Sequence, residues 1–133
     1  RGGANLIVLN RTVEKAGKVI VACCRRSHRF GPLEDLALHA VKADFIINTT
    51  SAGHGGEFLD LPEGKGRLFF EMSYGAPAKA QLAQARRMDW IAEDGLGMLV
   101  CQAAESFAIW FDCALPDVEI ALEACRETLK LNE

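Results

Sequence analysis

Ala43-Asp44-Phe45-Ile46-Ile47-Asn48-Thr49-Thr50-Ser51-Ala52-Gly53 is the stretch that decides the fold. Residues 43–49 read as a strand whose centre, Phe45-Ile46-Ile47, is apolar without alternation. Such a strand is buried on both faces, as in a parallel sheet covered by helices. The hydroxyl and glycine residues directly behind it leave room for a backbone to approach a ligand, although a plain polar loop would read the same way.

The same pattern recurs on either side. Ala4 to Asn10, with Leu6-Ile7-Val8-Leu9 at its centre, reads as a strand. A helix from about Val13 to Arg26 follows, capped by Thr12, with Ala16, Val19, Ile20 and Cys23 on one face. Gly31-Pro32 is read as a break and Leu33 to Val41 as a short helix. Residues 51–66 hold five glycines and a proline and read as loop. Arg67 to Ser73 and Met88 to Ala92 are the next strands, separated by a helix over Ala78 to Arg87. Leu96 to Phe111 is a long helix, apolar nearly all round, which predicts burial between layers. Pro116 opens a last helix to about Leu131, whose stripe of Val118, Ala121, Leu122, Cys125 and Leu129 predicts one buried face. Strands alternating with helices give an α/β class: a Rossmann-like, doubly wound parallel sheet with flanking helices. Ligands of such sheets sit at the C-terminal ends of the strands.

Composition narrows the class of function. The chain has 133 residues, half of them hydrophobic and a quarter charged, with a net charge of −3. No basic surface suggests nucleic acid, and no apolar run is long enough to span a membrane. The start, Arg1-Gly2-Gly3-Ala4, shows no signal peptide. The five cysteines (23, 24, 101, 113 and 125) match no metal spacing and are expected to be buried free thiols in a reducing cytoplasm. His28, His39 and His54 are scattered, so no metal site is expected.

The residues behind each strand carry the chemistry. Asn10-Arg11-Thr12, with Lys15 three residues on, holds no carboxylate for a ribose 2′-hydroxyl. It offers instead a guanidinium fork and an ammonium suited to a 2′-phosphate, unless these are simply solvated charges at a helix start. Thr49, Thr50 and Ser51 follow the next strand. Met72 can form an apolar wall after the third, and Tyr74, the one tyrosine, stands at the mouth of a cleft or is a half-buried aromatic. After the fourth come Asp94-Gly95-Leu96-Gly97-Met98 and, four residues past Met98 and so on the same helix face, Gln102. A buried amide needs a polar partner, either a hydroxylated substrate or backbone, and the neighbouring glycines favour the substrate.

Taken in order, Asn10-Arg11-Thr12, Asp44 through Gly53, Glu71-Met72-Ser73-Tyr74, Asp94 through Leu99, Gln102-Ala103-Ala104, Phe107 through Trp110 and Leu115-Pro116-Asp117-Val118 resemble the C-terminal half of the shikimate dehydrogenases. The resemblance covers essentially the whole chain. It implies an NADP-dependent oxidoreductase that reversibly reduces 3-dehydroshikimate to shikimate on the route to chorismate and the aromatic amino acids. It implies that Asn10, Arg11, Thr12 and Lys15 hold the 2′-phosphate. Thr49, Thr50, Ser51, Met72, Gly95 and Met98 would then surround the nicotinamide end, and Tyr74 and Gln102 would reach the substrate.

Three positions depart from the family's habit. Glu71 stands for Asp, Thr49 for Ala, and Lys15 for a frequent Arg. The resemblance places the catalytic Lys and Asp in an N-terminal domain, so no catalytic residue is assigned to this chain. Gly2-Gly3 is read as the end of a helix rather than the phosphate loop, so the fold is expected to begin at its second strand. Residues 1–94 are expected to form a partial NADP-binding domain, and 95–133 the helices that pack on a substrate domain. Alone the chain is expected to be inactive and, through an exposed face on its last helix, to dimerise or swap. A quinate/shikimate paralogue and a non-catalytic dinucleotide-binding module are the alternatives.

Overall fold

A computed structural model of the chain describes residues 4–23 and 28–129. The expectations for Gly2-Gly3, the end of the first helix at Arg26, the Cys23 and Cys24 thiols and the last residues to Leu131 lie outside the described residues. The apolar tetrads form short parallel strands in two compact units, Arg1–Ala43 with Asp60–Glu63, and Asp44–Leu59 with Gly64–Glu133.

In the first unit β1 (Ile7–Asn10) pairs in parallel with β2 (Arg29–Pro32), and Asn10 lies opposite Pro32. Gly31-Pro32, a break by composition, instead ends β2. Proline is tolerated there because it ends an edge strand, where no ladder N–H is required. Helix α1 (Val13–Cys23) joins the two strands and buries Ala16 and Ile20, one turn apart, while Val19 is exposed. The short helix expected over 33–41 is a 3-10 turn, Leu33–Asp35, followed by α2 (Leu36–Ala40).

In the second unit β3 (Phe45–Asn48), β4 (Leu68–Glu71) and β5 (Ile91–Asp94) form a parallel sheet in that order. Asn48, Glu71 and Asp94 stand in one register row at its C-terminal end. Helix α3 (Ala76–Arg87) packs on β4 and β5, burying Ala78, Leu82 and Ala85, and Phe69 and Ala92 are buried in the sheet. The alternate positions Phe45, Ile47, Leu68 and Ile91 are about half exposed, so the strands are not buried on both faces as their composition suggested.

The last strand begins three residues later than expected. Met88 and Asp89 belong to the end of α3: Met88 N–H donates to the Gln84 and Ala85 carbonyls, Asp89 turns left-handed at φ 58°, and Trp90 N–H donates back to Ala85 O at 3.0 Å. This is a helix stop that returns the chain to the last helical turn. Buried Trp90 then packs against Gly64, with the Arg67 guanidinium 4.9 Å from its ring centroid.

Helix α4 (Leu96–Phe111) buries Leu96, Val100 and Ala104 along one stripe, with α5 (Val118–Leu129) packed on it. The expected burial of α4 between layers is not found: Ile109 and Trp110 are 76% and 78% exposed, and Phe107 and Phe111 are exposed too. Pro116 lies before α5 rather than in its first turn, and Asp117 caps the helix by accepting from Glu119 N–H at 2.9 Å. The α5 stripe is half-buried at Val118, Ala121, Leu122 and Cys125 and exposed at Leu129. The thiol expectation is corrected as well: Cys101, off the buried stripe of α4, and Cys113, between α4 and α5, are exposed, and Cys125 is half-buried. No described helix is long and apolar enough to cross a membrane.

Candidate functional site

Four of the strands end in the same way. Asn10, Asn48, Glu71 and Asp94 are the last residues of β1, β3, β4 and β5, and each side-chain oxygen accepts from the N–H two residues on: Thr12, Thr50, Ser73 and Leu96. The distances are 2.9, 3.0, 3.0 and 3.0 Å. Such side-chain turns redirect a chain sharply with a local hydrogen bond. Each contributes roughly 0.5–1.5 kcal/mol where solvent competes for the partners. The residues so presented are those the sequence reading singled out behind each strand.

In the first unit the turn closed by Asn10 sets Arg11, Thr12 and Lys15 on the surface at the end of β1, all exposed, and Lys15 N–H donates to Thr12 O at 3.0 Å. The donor set is cationic, and its strand-end oxygen is already engaged by Thr12. It therefore fits a phosphate monoester better than a hydroxyl pair.

In the second unit Thr49, Thr50, Ser51, Met72 and Tyr74 come together around one cleft of about 570 Å³. The strands are laced past their ends: Met72 N–H donates to Asn48 O at 2.9 Å, and Gly95 N–H donates to Ser73 O at 3.1 Å. Thr49 and Thr50, from the segment after β3, supply one part of its wall, and Met72 and Tyr74, from the segment after β4, supply another, with Met72 and Tyr74 41% and 39% exposed. Other contributors carry no assignment from the sequence: His54, in the 3-10 turn Ala52–Gly55; Ala76 and Pro77, in the first turn of α3; and Leu129, at the end of α5. A turn inside the glycine-rich loop was the only signal for His54. Leu129 is brought in solely by the packing of distant elements.

Gly95, Met98 and Gln102 do not line this cleft. Gly95 is buried beside the Met72 carbonyl, with no room for a Cβ. Met98 is half-buried on α4. Gln102 corrects the reading of a buried amide: it is exposed, because the covered stripe of α4 runs through Leu96, Val100 and Ala104 and position 102 falls well off it. Water can satisfy its amide, so burial places no demand for a polar partner.

The glycine-rich loop is tied down at its far end as well. Gln81, buried on α3, accepts from Leu59 N–H at 2.6 Å and donates to Leu59 O at 3.1 Å, and it also donates to Gln84 Oε1 at 3.2 Å. Among the described residues no buried side-chain nitrogen or oxygen lacks a partner.

The chain is similar to known proteins. Residues 95–126 match the family model described as Shikimate 5'-dehydrogenase C-terminal domain. The shikimate dehydrogenase (NADP(+)) of Hyphomonas neptunium is 40% identical over 128 residues, covering 96% of this chain and 47% of that protein. The protein of the same name from Pyrococcus furiosus is 38% identical over 114 residues, covering 80% of this chain and 39% of its own length. The crystal structure of shikimate 5-dehydrogenase from Thermus thermophilus in complex with shikimate superposes with a TM-score of 0.71 at 26% identity, over 96% of this chain and 46% of that one. The shikimate dehydrogenase of Thermotoga maritima superposes with a TM-score of 0.65 at 25% identity, over 95% and 47%. The chain spans about half the length of the curated relatives it matches.

Proposed function

This chain belongs to the shikimate dehydrogenase family, and from that membership we infer that it is the cofactor-side half of an NADP-dependent enzyme interconverting 3-dehydroshikimate and shikimate. One observation carries the reading. The segments of the resemblance, 10–12, 48–51, 71–74 and 94–98, all emerge at the C-terminal ends of parallel strands, where α/β sheets bind ligands. When bound, NADP accepts or donates the hydride. Arg11 and Lys15 hold its 2′-phosphate, with Asn10 and Thr12 setting their turn. Thr49, Thr50, Ser51 and Met72 flank the nicotinamide, with Gly95 and Met98 behind them, and Tyr74 and Gln102 reach the substrate. Their contribution is binding and orientation, which shortens the search for a reactive geometry.

Residues 95–133 link to a further domain that supplies the proton-handling groups, and the exposed Phe107, Ile109, Trp110 and Phe111 of α4 are buried against it. Alone, the 133 residues are therefore inactive and self-associate through that patch as a dimer or swapped form. Cytoplasmic residence belongs to the same reading, since the exposed thiols Cys101 and Cys113 remain free in a reducing compartment.

The test is a coupled pair of measurements on the full-length protein. Shikimate-dependent reduction of NADP is followed spectroscopically, with quinate and NAD as the comparison substrate and cofactor. Turnover confined to quinate or to NAD would sink the assignment, and turnover of neither pair would leave only the binding-module reading.

A further inference from the structure

We propose that Glu71 and Asn48 are positioning residues: a buried side-chain relay that sets these two parts of the cleft wall relative to each other. Both are at the sheet's C-terminal edge and each is 3% exposed. The relay runs through four groups. Thr50 N–H donates to Asn48 Oδ1 at 3.0 Å, Asn48 Nδ2 donates to Glu71 Oε2, and Ser73 N–H donates to Glu71 Oε1 at 3.0 Å. The Asn48 amide has one workable orientation here, because Thr50 can only donate and both Glu71 oxygens are needed as acceptors.

Thr50 begins the loop that supplies one part of the wall, and Ser73 lies in the segment, 72–74, that supplies another. Their backbones are 23 residues apart in sequence at the Asn48–Glu71 link. Backbone pairing ends at the Asn48–Glu71 row, and one further backbone bond, from Met72 N–H to Asn48 O, continues it; among the described residues, Thr50 and Ser73 are joined across the two segments only through the side-chain relay. A hydrogen bond accepted by a buried carboxylate is among the stronger kinds, and leaving a buried group unpaired is costly. Glu71 and Asn48 line no part of the cleft surface themselves, so they act through Thr50 and Ser73. The pair therefore sets the spacing between the threonine segment and the Met72–Tyr74 segment.

This inference rests on the function proposed above, and polarity reversal tests it in the full-length enzyme. Glu71→Gln supplies only one acceptor oxygen, so either Ser73 N–H or the Asn48 amide loses its partner. Asn48→Asp combined with Glu71→Gln rebuilds every link with the central bond reversed: the new aspartate accepts from Thr50 N–H and from the glutamine amide, and the glutamine oxygen accepts from Ser73 N–H. Glu71→Gln should lower kcat by roughly tenfold, less than the ~100-fold that a full ångström of misplacement costs. Because the 2′-phosphate contacts at the end of β1 are untouched while Thr50 and Met72 flank the nicotinamide, NADP affinity should fall less than kcat does, and the double variant should recover most of the lost kcat. Amide exchange at Thr50 and Ser73 should quicken in the single variant and slow again in the double.

Unchanged kcat in Glu71→Gln overturns the proposal. So does a double variant as impaired as the single one while both remain folded. Should Glu71→Gln fail to fold, Asn48→Asp alone, which sets two carboxylates face to face, takes its place in the same comparison. A wild-type enzyme that does not turn over shikimate overturns the functional reading instead, and exchange at Thr50 and Ser73 then decides whether the relay holds the walls.

Discussion

The backbone of Gly95 runs so close to Met72 that a Cβ at position 95 would collide with the Met72 carbonyl. That approach lets Gly95 N–H reach Ser73 O and closes the sheet's edge just where α4 departs. Gly95 has an ordinary φ of −77°, so space, not conformation, demands glycine. Gly95→Ala should destabilise the protein by about 1–3 kcal/mol through forced backbone displacement. Urea titration followed by circular dichroism reads this directly, and a midpoint equal to wild type would refute the crowding.

Arg11 is predicted to set cofactor choice. Losing a charged hydrogen-bonding partner to phosphate costs roughly 1.5–3 kcal/mol, about 10- to 100-fold in affinity. Titration calorimetry on full-length Arg11→Ala should show NADP weakened by that factor and NAD almost untouched. Equal weakening of both would move the 2′-phosphate site elsewhere.

Gln81 holds Leu59 by both backbone groups from within α3. Gln81→Leu keeps the volume and removes both partners, leaving a half-buried N–H and carbonyl without their protein partner. A loss of about 1–3 kcal/mol is expected, with proteolysis of the 51–59 loop accelerated. An unchanged cleavage rate in that loop would show that Gln81 does not anchor it.

Asp89 occupies the left-handed region at φ 58° as the residue that stops α3. A β-carbon there costs about 1–2 kcal/mol, partly repaid by the entropy that glycine loses on folding. Asp89→Gly should therefore raise stability by roughly 0.5–1 kcal/mol, seen as a higher Tm. A lower Tm would mean that the aspartate side chain stabilises the stop.

The exposed aromatic half of α4 should drive self-association of the 133-residue chain. Sedimentation velocity is expected to show concentration-dependent dimers that Trp110→Lys disperses. A monomer at every concentration would argue that this surface is not adhesive on its own.

Local pattern made the class of the fold legible. The tetrads at residues 6–9, 45–48 and 68–71 are apolar enough to be central strands, and glycine with polar residues marks where each ends. The candidate cleft was legible for the same reason: Thr49, Thr50, Ser51, Met72 and Tyr74 follow strand ends directly, and a parallel sheet brings consecutive strand ends to one edge. Strand β2 was hidden because Arg-Phe-Gly-Pro has breaker composition, and only pairing with β1 makes it a strand. The start of β5 was displaced because Met88-Asp89-Trp90 is strand-like locally, yet its N–H groups find carbonyls in α3 first.

Side-chain surroundings lay beyond the reach of any local pattern. Gln102 and the aromatic end of α4 sit in an apolar run, and hydropathy alone predicts burial for both. Exposure depends on which stripe a neighbour covers, and here that stripe is Leu96, Val100 and Ala104. The Asn48–Glu71 relay and the Gln81 anchor were likewise invisible, since each joins residues 22 or 23 positions apart through geometry that has no sequence period. Hydrophobic periodicity and turn chemistry are local, so they specify elements and strand ends. Contacts between those ends exist only once the sheet has assembled, and the assembled sheet alone decides which polar groups meet.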